Sequence, residues 1–139
     1  MIILLDLNYT LVANSHEKLK PFARQIENER YSLDLINRIK TATVILITAR
    51  PSQHKAATLK SIKDKTGWNP HAAYFNEWFL YPPACKKKIL ETYIFPRFGS
   101  NADAYVAIES NPATRAMYEA FGIVALTADT VFETFRLKD

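Results

Sequence analysis

The sequence predicts an α/β domain spanning residues 1–139: a doubly wound, mainly parallel five-stranded sheet with helices on both faces, Rossmann-like and without a large cap. Three observations predict it. Five short apolar runs are spread along the chain, and several are unbroken rather than alternating, as strands covered on both faces are. Stretches with helical spacing separate these runs, which favours parallel strands joined by crossover helices. The 139 residues amount to a single domain, and the 48% hydrophobic and 23% charged content suffices for a core on each side of a sheet.

The elements follow in order. The first strand is read over Met1–Leu7, where "MIILLDL" runs apolar into an aspartate. About 34 residues then separate Asn8 from the second strand, room for a helix or two and for no inserted domain. Ser32–Lys40 reads as a helix because Leu33, Ile36 and Ile39 fall on one side. The second strand is Ala42–Thr48. Pro51–Lys65 follows as a helix with proline in its first turn, where the missing N–H costs nothing. Ala72–Phe75 is the third strand. Pro83–Phe95 and Pro112–Ala120 are helices that repeat the proline device, the latter capped by Asn111 or Ser110. Tyr105–Glu109 and Ile123–Thr127 complete the sheet.

Composition excludes several chemistries. Only three glycines are present (Gly67, Gly99 and Gly122), so neither GxGxxG nor GxxxxGK[ST] exists. The single cysteine, Cys85, forms no intrachain disulfide or all-cysteine zinc cage and reads as structural. His16, His54 and His71 lack metal-ligand spacing and are expected on the surface. The opening apolar run is too short for a signal peptide or a membrane span, so a reduced, cytoplasmic setting and no membrane partner are expected. A net charge of +4 and a pI near 9.2 suit an anionic partner and equally an ordinary basic surface.

Open parallel sheets carry their sites at the carboxyl ends of the strands, where strand order reverses. There the sequence places Asp6 and Asn8 after strand one, Thr48 and Arg50 after strand two, and Glu109 and Asn111 after strand four. Three distant loops would meet in one crevice. A phosphate group suits it. Asp6 is a carboxylate able to attack phosphorus. Mg²⁺ between Asp6 and Glu109 would offset their repulsion, with Asn111 on the metal directly or through water. Thr48 offers a hydroxyl, Arg50 a bidentate grip, and "CKKKIL" a lysine from among Lys86, Lys87 and Lys88. Each also has an ordinary use as cap, turn or solvated face; their order along the chain sets them apart. Trp78, Phe79 and Tyr81 in "NEWFLYPP" would stack on a nucleotide if they form an aromatic wall, the alternative being packing in the core or a surface loop.

The stretches "LLDLNYTLV", "VILITAR", "CKKKIL" and "YVAIESNP" resemble, in that order, the four motifs of the haloacid dehalogenase-like hydrolase superfamily, over nearly the whole chain. "TAR" and "KKKILETYIFPRF" with "AYVAIESNP" are similar to polynucleotide kinase 3′-phosphatase domains. The resemblance implies Asp6 as nucleophile, the Asn8 carbonyl as metal ligand, Thr48 and Arg50 on phosphate, Lys86 on the phosphoryl group and Glu109 on Mg²⁺. It implies a capless, Mg²⁺-dependent phosphatase acting through an aspartyl phosphate on a phosphorylated small molecule or a nucleic-acid end. The alternative is a weak or inactive relative that binds a phosphorylated ligand, nucleic acid or a protein. Three departures matter: Glu109 stands where aspartate is usual, Tyr9 where glycine is common, and Asn8 where the family has a second aspartate that carries a proton. An amide cannot carry that proton. Asn8→Asp is therefore expected to restore at least about tenfold of rate.

Overall fold

The structure, a computed structural model, describes the backbone of residues 1–138 and the side chains of 1–133. Five strands form one sheet: β1 (Ile2–Leu5), β2 (Thr43–Pro51), β3 (Ala72–Asn76), β4 (Tyr105–Ile108) and β5 (Val124–Leu126). Their order is β3-β2-β1-β4-β5, and every neighbouring pair is parallel. Strand order reverses between β1 and β4, which places a crevice at their carboxyl ends.

The unbroken apolar runs are explained by cover on both faces. Along β1 and β2, Leu5, Val44 and Leu46 enter one core with Leu35, Ile36, Ile39, Ile62 and Phe75. Their alternates Leu4, Ile45 and Ile47 enter the opposite core with Ile89, Ile94, Tyr105, Tyr118 and Ile123. Neighbouring residues point to opposite faces, so a strand with two dry faces is apolar at every position.

The helices are α1 (Phe22–Asn28), α2 (Leu33–Ile39), α3 (Lys55–Thr66), α4 (Pro82–Ile89), α5 (Phe95–Phe98), α6 (Pro112–Ala120) and α7 (Ala128–Lys138). Ser32 caps α2, its Oγ accepting from Leu35 N at 3.2 Å. Asn111 caps α6, its Oδ1 accepting from the N–H groups of Ala113 and Thr114.

The elements depart from the sequence reading at several points, and the first strand ends at Leu5 rather than Leu7. Pro51 does not open a helix. Strand β2 continues to Pro51, which pairs with Asn76 after an irregular step in register, and α3 begins at Lys55 after a short turn over Ser52–His54. The helix expected over Pro83–Phe95 widens to a π-type turn at Leu90–Ile94 before α5. Helix α1 fills the stretch before β2 that had room for a helix or two but was given no bounds, since it has few apolar positions and no side-chain cap, and α7 was not anticipated. Among the described residues, no helix is long and apolar enough to cross a membrane.

Candidate active site

Asp6 leaves the end of β1 and is fixed there by its backbone, whose N–H donates to Ile108 O of β4 at 3.0 Å. Its side chain is nearly buried, at 7% exposure. Oδ1 accepts from Lys86 Nζ at 2.8 Å. Oδ2 accepts from Thr10 Oγ1 at 2.8 Å and from Ser110 Oγ at 2.9 Å. The loop that returns Thr10 to Asp6 turns sharply at Tyr9, whose φ of 59° lies in the left-handed region. The Tyr9 N–H is tied to Ser15 Oγ at 2.7 Å.

Lys86 settles which lysine of "CKKKIL" faces inward. It is 2% exposed on α4, whereas Lys87 and Lys88 are exposed. Its ammonium also donates to Glu109 Oε1 at 2.5 Å, so one cation spans two carboxylates. Glu109 follows β4, and its Oε2 accepts from Asn111 N at 3.1 Å. Electrostatics distinguish the two acids. Burial raises Asp6, but the Lys86 charge with hydrogen bonding to Glu109, Lys86 and Thr10 outweighs it and leaves the carboxyl below its ordinary value. Glu109 is pushed up to about 7 by burial and by the Asp6 charge, against the opposing pull of Lys86. The two carboxylates hold Lys86 firmly protonated, its pKa raised despite burial.

Asp6, Asn8, Tyr9, Thr48, Lys86, Glu109, Ser110 and Asn111 line one crevice of about 220 Å³. At ~30 Å³ per water this is about seven waters, the scale of a phosphoryl group with part of its hydration. A larger pocket of about 410 Å³ lies elsewhere, between α1 and α3, and includes none of these residues.

Arg50 takes another role, and Asn111 takes the capping role that was also expected of it. Arg50 does not line the crevice. Its guanidinium is buried in a bidentate pair with Glu29 at 3.0 and 2.5 Å, also donates to Thr58 Oγ1 at 2.9 Å, and lies over the Phe22 ring at 4.9 Å. The bidentate grip expected for phosphate is occupied by a carboxylate from the same chain. Asn111 lies at the crevice, but its Oδ1 caps α6, so a metal would compete with two backbone N–H groups for that oxygen. Of the aromatic wall, Trp78 is half-buried against Tyr93, while Phe79 and Tyr81 are 88% and 85% exposed. Cys85 is buried, its thiol pushed up to about 11 by burial. His16 and His71 are on the surface, and His54 packs half-buried on Phe22 at 4.5 Å.

The sequence reading missed Glu29 and the roles of Thr10, the last residue of the Asp-x-Asn-x-Thr pattern, and of Ser110. Thr10 and Ser110 carried a signal, since each lies within four residues of an expected site acid. Glu29 carried none: it lies 21 residues from Arg50.

The crevice offers oxygen donors, the kind a hard cation takes. Among the described residues no group of three or more His, Cys, Asp and Glu side chains gathers. Two carboxylates do, however, and Ser110 Oγ donates to both Asp6 Oδ2 and Asn8 O, the latter at 3.3 Å. Asp6 Oδ2 and Asn8 O therefore both lie within reach of the one Ser110 hydroxyl. All the donors are oxygen, the preference of a hard cation, and Lys86 offsets only one of two negative charges.

A scan against family models and a search of curated proteins each returned no match. Among solved structures, the fold is similar to a chain of the Pnkp1/Rnl/Hen1 RNA repair complex, with a TM-score of 0.72 and 13% identity. The similarity covers 91% of this chain and 41% of that one, so this chain spans less than half the length of its neighbour. At this identity the likeness establishes a shared α/β fold.

Proposed function

We propose that this protein is a Mg²⁺-dependent phosphohydrolase of the haloacid dehalogenase-like kind, working through an aspartyl phosphate on the phosphorylated end of a polynucleotide. The observation that carries the reading is Asp6: an ionised carboxylate at the switch point of the sheet, held between Lys86 and Ser110 at the crevice that Thr48 also lines. That is the environment of a positioned nucleophile.

Asp6 attacks phosphorus, a P–O(Asp) bond forms, and the bond to the leaving oxygen breaks with its electron pair. The departing alkoxide takes a proton from water. A second water then attacks the aspartyl phosphate, releasing inorganic phosphate and restoring Asp6. Lys86 and Thr48 meet the phosphoryl oxygens. Asp6, the Asn8 carbonyl and Glu109 would hold Mg²⁺, which polarises the phosphoryl group and offsets charge when bound. The open crevice and the exposed Tyr9, Phe79 and Tyr81 favour a substrate whose bulk stays outside, with bases against rings.

The test is release of phosphate from p-nitrophenyl phosphate and from 3′-phosphorylated oligonucleotides, with and without Mg²⁺. Turnover that Asp6→Asn abolishes supports the reading. Turnover that survives in Asp6→Asn refutes it. Asn8 favours a second reading, a module that binds phosphorylated ligands with little turnover; phosphate binding without hydrolysis of any substrate would select it.

A further inference from the structure

We infer that Arg50, locked by Glu29, is a positioning residue that turns Thr48 and Asn8 into hydrogen-bond donors toward the crevice, so that position 8 grips the anion and carries no proton. The inference rests on the reading of the crevice as a phosphate site. Arg50 Nη2 donates to Asn8 Oδ1 at 3.0 Å. A guanidinium has donors only, so the amide atom facing it must be the oxygen. The Asn8 NH₂ group is then turned away from Arg50, and it has no acceptor among the described residues, although Asn8 lines the crevice. The same residue acts on Thr48. Arg50 N–H donates to Thr48 Oγ1 at 3.0 Å, which uses a lone pair and leaves the hydroxyl hydrogen to be given elsewhere.

Arg50 is held too firmly to swing to a ligand. The side chains of Arg50 and Glu29 are 1% and 3% exposed. Thr58 takes another guanidinium hydrogen, and Glu29 is itself held by the Tyr31 hydroxyl at 3.3 Å. The charges of Arg50 and Glu29 cancel, so the pair supplies orientation to the crevice and no net charge.

An aspartate at position 8 would meet the same guanidinium. It offers the guanidinium an oxygen as Asn8 does, but it has no amide hydrogen to donate toward the crevice. This reverses the sequence expectation that Asn8→Asp restores a proton carrier.

The experiment measures inorganic phosphate binding by calorimetry at saturating Mg²⁺, together with turnover of an alkyl phosphate. Asn8→Asp should bind phosphate at least about tenfold more weakly and gain no turnover, since one lost hydrogen bond to a charged group is worth about a decade. Equal or tighter phosphate binding, or a rate gain on the alkyl ester, would overturn the assignment. The role of Arg50 is read from a cycle. Glu29→Met with Arg50→Met replaces the buried pair as a unit, avoiding an orphaned charge. In that background Asn8→Ala should cost less than about twofold in phosphate affinity, against about tenfold with the pair intact. A full tenfold loss in both backgrounds would show that Asn8 needs no positioning. No phosphate binding by the unsubstituted protein would overturn the crevice reading itself, a result distinct from binding that Asn8→Asp leaves unchanged.

Discussion

Replacing Lys86 with methionine removes the one cation that lies between Asp6 and Glu109 while keeping the buried stem. The ammonium donates at 2.8 Å to one carboxylate and 2.5 Å to the other, and all three side chains are at most 8% exposed. Removing one member of a buried ionic group costs about 3–5 kcal/mol, because the remaining charge is left uncompensated. The cost depends on pH, with a sign set by Glu109. Its carboxyl, at about 7, is raised above the ordinary value of 4.5 by burial and by Asp6. Between these two values the folded protein holds a proton that the unfolded chain releases, so stability falls as pH rises through that window. Without Lys86, Glu109 keeps its proton to higher pH still, and protonation discharges the clash with Asp6. The loss should therefore be about 3–5 kcal/mol at pH 8 and distinctly smaller at pH 5. With a urea slope of about 1–3 kcal/mol per M, the midpoint at pH 8 should drop by about 2 M. Urea unfolding of both proteins at the two pH values, without divalent cations, is the assay. A loss below about 1 kcal/mol at pH 8, or one equal at both pH values, would refute the coupling of these groups.

Mg²⁺ should compete with the Glu109 proton, so affinity should rise up to about tenfold per unit from pH 5 to 7 and then level; calorimetry should show this, with Asp6→Asn and Glu109→Gln each weakening binding. Asn111→Ala should cost about 1 kcal/mol by removing the α6 cap, about 3–5 °C in Tm by calorimetric scan; a loss of Mg²⁺ affinity with unchanged Tm would instead make Asn111 a ligand. Tyr9→Gly relieves a left-handed tyrosine, worth about 1–2 kcal/mol before glycine's entropy cost. Stability should stay level or rise slightly, while binding of a 3′-phosphorylated oligonucleotide weakens relative to inorganic phosphate if the exposed ring stacks on a base.

The sheet was legible because each strand is buried on both faces and is apolar at nearly every position. The meeting of Asp6, Thr48 and Glu109 in one crevice was legible because the fold puts β1, β2 and β4 side by side. The lysine was not decidable from "KKK", since only the phase of α4 against the sheet chooses Lys86. Pro51 misled for a related reason. Proline suits both a helix start and the end of a strand, and the choice was made by pairing with Asn76 across the irregular register. Arg50 was placed in the loop after strand two and turned to a phosphate, whereas β2 runs on to Pro51 and carries it, and its guanidinium is held by Glu29. Its partner, Glu29, sits at the end of α1, a helix whose pattern was too weak to read, so nothing in the sequence brought the two together.

That misplacement changes the charge balance of the crevice, and the balance can be tested. Had Arg50 faced the ligand, two cations would oppose two carboxylates. With Arg50 cancelled by Glu29, Lys86 alone opposes Asp6 and Glu109, and the crevice carries about one net negative charge before any anion arrives. A phosphate dianion is then poorly received unless Glu109 takes a proton or Mg²⁺ binds. Phosphate and Mg²⁺ should consequently bind together. The factor by which saturating Mg²⁺ tightens phosphate must equal the factor by which phosphate tightens Mg²⁺, since both describe one coupling free energy. A coupling of about 1–3 kcal/mol, or about 5–150-fold, is the usual range for such linkage. It should be largest above pH 7, where Glu109 is ionised, and shrink toward pH 5 as the proton supplies the missing charge. Glu109→Gln should reduce the coupling and tighten phosphate in the absence of metal. Phosphate binding at pH 8 that neither Mg²⁺ nor Glu109→Gln alters would mean that the anion sits away from the two carboxylates, and that Asp6 is not placed to attack it.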